Sequence, residues 1–125
     1  GNIIDYTLRT ILAGKEAAFG PAAQPYDFIH VDDAVEALKL LGLSEGVKSD
    51  EFYIGNGEPK KLGERLFEIG RIAGCEKLIG IGKRPDDGTR YKEEWFSTKA
   101  LCTETGFAPK ITFVEGVRQN IGLLK

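Results

Sequence analysis

The chain has one histidine, and His30 sits inside the apolar run Phe28-Ile29-His30-Val31. Any histidine-based triad or metal site would have to use it. A lone imidazole in an apolar strand reads as a satisfied structural residue, not a base. The cysteines, Cys75 and Cys102, lack the C-x-x-C spacing of a metal or redox pair and read as plain thiols beside apolar helical positions. A tyrosine with a lysine four positions on could pass protons, but none of the four tyrosines has one. No strand-like run is followed by G-x-G-x-x-G, so the backbone cradle for a dinucleotide pyrophosphate is absent. Gly80-Ile81-Gly82-Lys83 lacks the spacing of a phosphate-binding G-x-x-x-x-G-K-[ST] loop, and Gly55-Asn56-Gly57 reads as a turn. What remains is Arg84-Pro85-Asp86-Asp87, a loop whose guanidinium could meet a diphosphate through two hydrogen bonds at once.

These groups need elements to hold them. A helix is predicted over 2–13, with Asn2 as N-cap, Ile4, Leu8 and Ile11 on one face, and Gly14 as its stop. Glu16 to Phe19 reads as a short extended piece, and Pro21 to Pro25 as a loop. Phe28 to Val31 is strand-like, followed by Asp32 as N-cap and a helix carrying Ala34, Leu38 and Leu41. A second strand is predicted over Glu51 to Ile54, and a helix over Lys60 to Ala73 with Leu62, Leu66, Ile69 and Ala73 on one face. Lys77 to Ile81 is a third apolar stretch. A helix over Ser97 to Thr105 and a last one opening on the capping-box pattern Thr112-Phe113-Val114-Glu115 complete the chain. Helices alternate with short strands, so the class is α/β, a small mixed lobe forming a single domain over 1–125.

With 125 residues, 42% hydrophobic and 29% charged, the chain can bury a core without disulfides. With a net charge of -2 nothing suggests the basic face that nucleic acid requires, and no apolar run is long enough to span a membrane. The absence of methionine suggests that the chain is a piece of something longer.

Six strings then occur in a telling order. Pro25-Tyr26-Asp27-Phe28-Ile29-His30-Val31-Asp32-Asp33-Ala34 resembles the R-D-[FY]-[IV]-H-V-x-D-[VA] segment of the extended short-chain dehydrogenases/reductases, specifically the NAD-dependent nucleotide-sugar epimerases and dehydratases. Phe52 to Glu58 resembles their Y-N-[IL]-G-x-G-x strand and turn. Arg84 to Asp87 resembles R-P-G-D, Ser97 to Ala100 the S-K-A helix, Gly106 to Lys110 L-G-[WF]-x-P, and Phe113 to Val117 L-x-E-G-[LI]. Upstream, Asn2 to Tyr6 is similar to the helix that begins the family's substrate lobe, and Gly14 to Gly20 to its extension.

The resemblance implies that this is the C-terminal part of a Rossmann-type enzyme. In the family, an N-terminal half holds NAD or NADP and supplies the catalytic Tyr, Lys and Ser or Thr, and a C-terminal half grips the nucleoside diphosphate. No catalytic or cofactor-binding residue and no metal are then expected here. Arg84 would bind the diphosphate, Asp87 would accept from ribose hydroxyls, and Asn2 would donate to phosphate from a helix N-terminus. Ala17 and Phe19 would meet the base through extended backbone, with Phe28 packed nearby. Two departures stand out: Tyr26 replaces a frequent phosphate-binding arginine, offering a ring where the family has a charge, and Phe96 replaces an aspartate. The resemblance further implies a cytoplasmic protein whose full-length form is a homodimer, with the dimer helices in the missing half. A non-catalytic dinucleotide sensor or scaffold on the same fold is the alternative, and the presence or absence of Tyr-x-x-x-Lys upstream separates the two.

Overall fold

The computed structural model describes residues 3–43, 52–88 and 90–125. The contacts divide the chain into two units, one formed by 1–26, 60–90 and 114–125 and the other by 27–59 and 91–113.

The first unit is built on two amphipathic helices. In α1 (Ile3–Leu12), Ile4, Leu8 and Ile11 are buried as the 3.6-residue period predicts, and Thr7 joins them because its hydroxyl donates to the Ile3 carbonyl at 2.6 Å. In α3 (Leu62–Ala73), Leu62, Leu66 and Ile69 form the matching stripe, and the two helices pack together. Burying each such side chain contributes about 1.5–3 kcal/mol. Both helices stop at a left-handed glycine. Gly74 (φ 73°) donates to the Arg71 carbonyl while Cys75 donates to that of Gly70, and Gly14 and Lys15 repeat the arrangement on Ile11 and Thr10. The strands are two residues each. β1 (Ala17–Ala18) runs parallel to β4 (Ile79–Gly80), with Ala17 opposite Ile79. β2 (Pro25–Tyr26) runs antiparallel to β3 (Lys60–Lys61), with Tyr26 opposite Lys60. Most of α5 (Phe113–Leu124) belongs to this unit and contributes fully buried Val117.

The second unit holds α2 (Val31–Leu43) and α4 (Lys99–Thr105) around buried Ala37, Leu101 and Phe107, with Ile29, Leu40, Leu41, Phe52 and Ile54 packed on them. Phe28 stacks edge-on against Phe113 at 5.4 Å. Neither strand expected from the sequence here forms a ladder. Residues 28–30 and 52–54 form no strand and pair with no neighbouring strand among the described residues, and Glu51 lies outside them. The Lys77–Ile81 stretch in the first unit is also shorter as a strand than its apolarity suggests, since 76–78 form a 3₁₀ turn ahead of β4.

The polar contacts of this unit are local and specific. Asp27 accepts hydrogen bonds from the Tyr53 hydroxyl (2.8 Å), the Gly57 amide (2.8 Å) and the Glu58 amide (3.3 Å). The Gly55-Asn56-Gly57 turn therefore wraps a carboxylate. A Cβ at Gly55 would stand 2.5 Å from Asp27 Oδ2 and from the Tyr53 ring, so only glycine fits. Asp33, only 5% exposed, accepts from the backbone amides of Lys110 and Ile111. His30, not Asp32, caps α2: its Nδ1 accepts from the Asp32 amide at 3.1 Å, one residue into the helix that begins at Val31.

Candidate functional site

One cleft of about 440 Å³ lies within the first unit, lined by α1 (Ile3, Tyr6), the 18–24 segment, Leu62 and the 84–87 loop. Backbone hydrogen bonds fix its walls. The Phe19 amide donates to the Gly80 carbonyl (2.9 Å), the Gly82 amide to that of Gly20 (2.9 Å), and the Arg84 amide to that of Phe19 (3.0 Å). The parallel pairing of β1 and β4 thus continues past its ladder and sets the Arg84 loop beside Phe19. A Cβ at Gly20 would meet the Pro85 carbonyl oxygen at 3.3 Å, so the two chain segments approach as closely as a glycine allows. The opposite wall, residues 21–24, is tied to the start of α3. The Gln24 carbonyl accepts from the Leu62 amide (2.9 Å) and the Ala22 carbonyl from the Gly63 amide (2.8 Å), which satisfies helix donors that have no side-chain cap. Ala22 does this from a left-handed conformation (φ 54°), the one such non-glycine residue among those described.

The chemistry in the cleft divides into an aromatic side and a charged side. Phe19 and Tyr6 meet edge to face at 6.0 Å. Arg84, Asp86 and Asp87 are exposed on the facing loop. Asp86 is engaged, accepting from both terminal nitrogens of Arg90 (2.9 and 3.3 Å) and from the Gly88 amide (3.0 Å). The hydrogen bonds from Arg90 hold its carboxyl below the usual carboxylate range, and Asp86 in turn raises the guanidinium of Arg90. Arg84 makes no ion pair among the described residues, which leaves a guanidinium fork available to an incoming anion.

Of the residues singled out in the sequence, Phe19, Arg84 and Asp87 line this cleft. Ala17 is buried in β1 opposite Ile79, one residue behind the lining Ala18. Tyr26 is half-buried in β2 and is not a lining residue. Phe28 belongs to the second unit and packs on Phe113. Asn2 lies outside the described residues. Sequence reasoning missed Tyr6 and Gln24. The available signals were an aromatic residue off the Ile4–Leu8–Ile11 stripe, and a glutamine beside Pro25 in the loop that Pro21 opens. No group of His, Cys, Asp and Glu among the described residues could hold a metal ion. No helix among them is long and apolar enough to cross a membrane.

No family model matches the chain. A curated dTDP-glucose 4,6-dehydratase from Streptomyces niveus is 24% identical over 115 residues, an alignment that spans 89% of this chain and 33% of that protein. Among solved structures, dTDP-glucose 4,6-dehydratase from Bacillus anthracis in complex with NAD superposes with a TM-score of 0.77 at 24% identity, covering 98% of this chain and 38% of the other. UDP-N-acetylglucosamine 4-epimerase from Methanobrevibacter ruminantium in complex with UDP-N-acetylmuramic acid gives a TM-score of 0.80 at 17% identity, covering 99% and 39%. The chain thus spans about a third of its curated relative and about two fifths of these structures. It carries the mixed helix-and-strand fold of part of a short-chain-dehydrogenase-type Rossmann enzyme, and over nearly its whole length it is similar to part of the NAD-dependent epimerase and dehydratase proteins.

Proposed function

We propose that this chain is the substrate-binding part of an NAD- or NADP-dependent nucleotide-sugar epimerase, dehydratase or reductase, and that its cleft grips the nucleoside diphosphate. The observation that carries this reading is the hydrogen bond from the Arg84 amide to the Phe19 carbonyl, which sets Arg84, without an ion pair among the described residues, beside an aromatic pair in one cleft. A diphosphate needs the first and a nucleobase the second. The relatives support the reading, since their names specify dTDP- and UDP-linked sugars and NAD. The sequence has no glycine-rich turn to cradle a dinucleotide and no Tyr-x-x-x-Lys pair, so residues of this chain do not fit the cofactor, and no chemical step is assigned to them. Hydride and proton transfer would fall to the rest of the longer protein, which we also propose to be cytoplasmic and homodimeric. Asn2, Ala17 and Tyr26 remain proposed contributors to the substrate side, with Asp87 proposed for the ribose.

Kinetics of Arg84 variants in the full-length enzyme test the proposal. A charge-assisted hydrogen bond contributes about 1.5–3 kcal/mol. Arg84→Ala should therefore raise KM for the nucleotide sugar roughly ten- to a hundredfold, and Arg84→Lys should recover only part of that because it keeps the charge and loses the fork. Lys83→Ala is the control and should change KM less than about fivefold. Arg90 is committed to Asp86 and does not serve as a control. An Arg84→Ala enzyme with wild-type KM would overturn the assignment.

A further inference from the structure

The aromatic pair in the cleft is not symmetric. Phe19, which the sequence puts forward as the base contact, is only 8% exposed, whereas Tyr6 is 41% exposed. Phe19 is therefore spent on packing, and the ring surface open to a ligand belongs to Tyr6, which Phe19 braces edge-on at 6.0 Å. Gln24 lines the same cleft. Its backbone is fixed by the carbonyl bond to the Leu62 amide, the residue is half-buried, and its carboxamide has no hydrogen-bond partner among the described residues. A carboxamide presents a donor and an acceptor side by side, the complement of a nucleobase edge that offers an acceptor beside a donor. Arg84 stands on the facing loop as the anion contact.

We infer that Tyr6 and Gln24 are the specificity-determining residues of this cleft: the Tyr6 ring stacks on a nucleobase and the Gln24 carboxamide hydrogen-bonds its edge. This rests on the nucleoside-diphosphate reading above and adds the residues that read the base. Stacking of one base on one aromatic ring is worth roughly tenfold or more in affinity, and it depends on the ring, not on the hydroxyl. Tyr6 lies on the open side of α1, away from Ile4, Leu8 and Ile11, so replacing it leaves the buried stripe intact.

Calorimetric titration of the full-length protein with UDP, dTDP, GDP and inorganic diphosphate decides the matter, using wild type, Tyr6→Ala, Tyr6→Phe, Gln24→Ala and Arg84→Ala, each checked for an unchanged melting temperature. For the nucleotide that binds wild type most tightly, Tyr6→Ala should weaken binding roughly tenfold, Tyr6→Phe should restore it, and Gln24→Ala should weaken it about fivefold and narrow the spread among the three nucleotides. Diphosphate should respond to Arg84→Ala and not to Tyr6→Ala or Gln24→Ala. If Arg84→Ala weakens every ligand while the Tyr6 and Gln24 variants bind like wild type, the base-reading role is overturned and the diphosphate grip stands. If neither nucleotides nor diphosphate bind wild type, both readings fall together.

Discussion

A single carboxylate, Asp27, holds the phenol of Tyr53 and two amides of the turn that follows it. Asp27→Asn keeps the shape but turns one acceptor oxygen into a donor that faces donors. The expected cost is about 1–3 kcal/mol, and Tyr53→Phe, which removes one hydrogen bond, should cost about 1 kcal/mol. Urea denaturation of the three proteins measures both, and an Asp27→Asn midpoint equal to wild type would show that the turn holds without the carboxylate. At this scale the sequence was partly legible. Arg84 stood out because a guanidinium in a Gly/Pro/Asp loop has few structural uses, and it lines the cleft. Asp27 could not, because its donors lie 26 to 31 positions away and nothing local announces them. The exposed ring of Tyr6 was hidden for a related reason. Which partner of an aromatic pair faces outward depends on packing, and residue type does not reveal it.

Among the elements, the first unit followed its sequence period closely, while α2 did not. Ala34, Leu38 and Leu41 share a helical period, yet the buried face runs through Asp33 and Ala37, and Leu38 is 60% exposed along with Val31 and Val35. A carboxylate that receives two backbone hydrogen bonds is an acceptable core residue, and a hydropathy pattern cannot foresee that. The helix cap moved as well. Asp32 has the better side chain for a cap, but the chain turns two residues earlier, and the imidazole of His30 reaches the Asp32 amide. His30→Ala should therefore destabilise the protein by about 0.5–2 kcal/mol, and His30→Asn, a preferred cap, by clearly less. The thermal unfolding of the two variants separates this from a role in chemistry: a catalytic histidine would lose turnover with either change at an unaltered melting temperature. The short strands were overestimated for one physical reason. Apolar extended segments look alike whether or not a neighbouring strand exists, and the ladder is a non-local fact.

At the scale of the whole molecule, the glycine-rich turn and the proton-transfer pair are absent from the sequence itself, so the isolated chain should not bind NAD or NADP tightly. Calorimetry should show no binding at micromolar cofactor; a micromolar dissociation constant would mean that these residues hold the dinucleotide by a route the sequence does not display. The division into two units was not legible, because the segments of each are scattered along the chain. That scattering has a consequence during synthesis. The first unit draws on 1–26, 60–90 and 114–125, so its core lacks Val117 until the last of these has been made. At roughly 5–20 residues per second, translation from residue 90 to 125 takes about 2–7 s. For that interval the apolar stripes of α1 and α3 are already made while Val117, a buried residue of the same unit, is not.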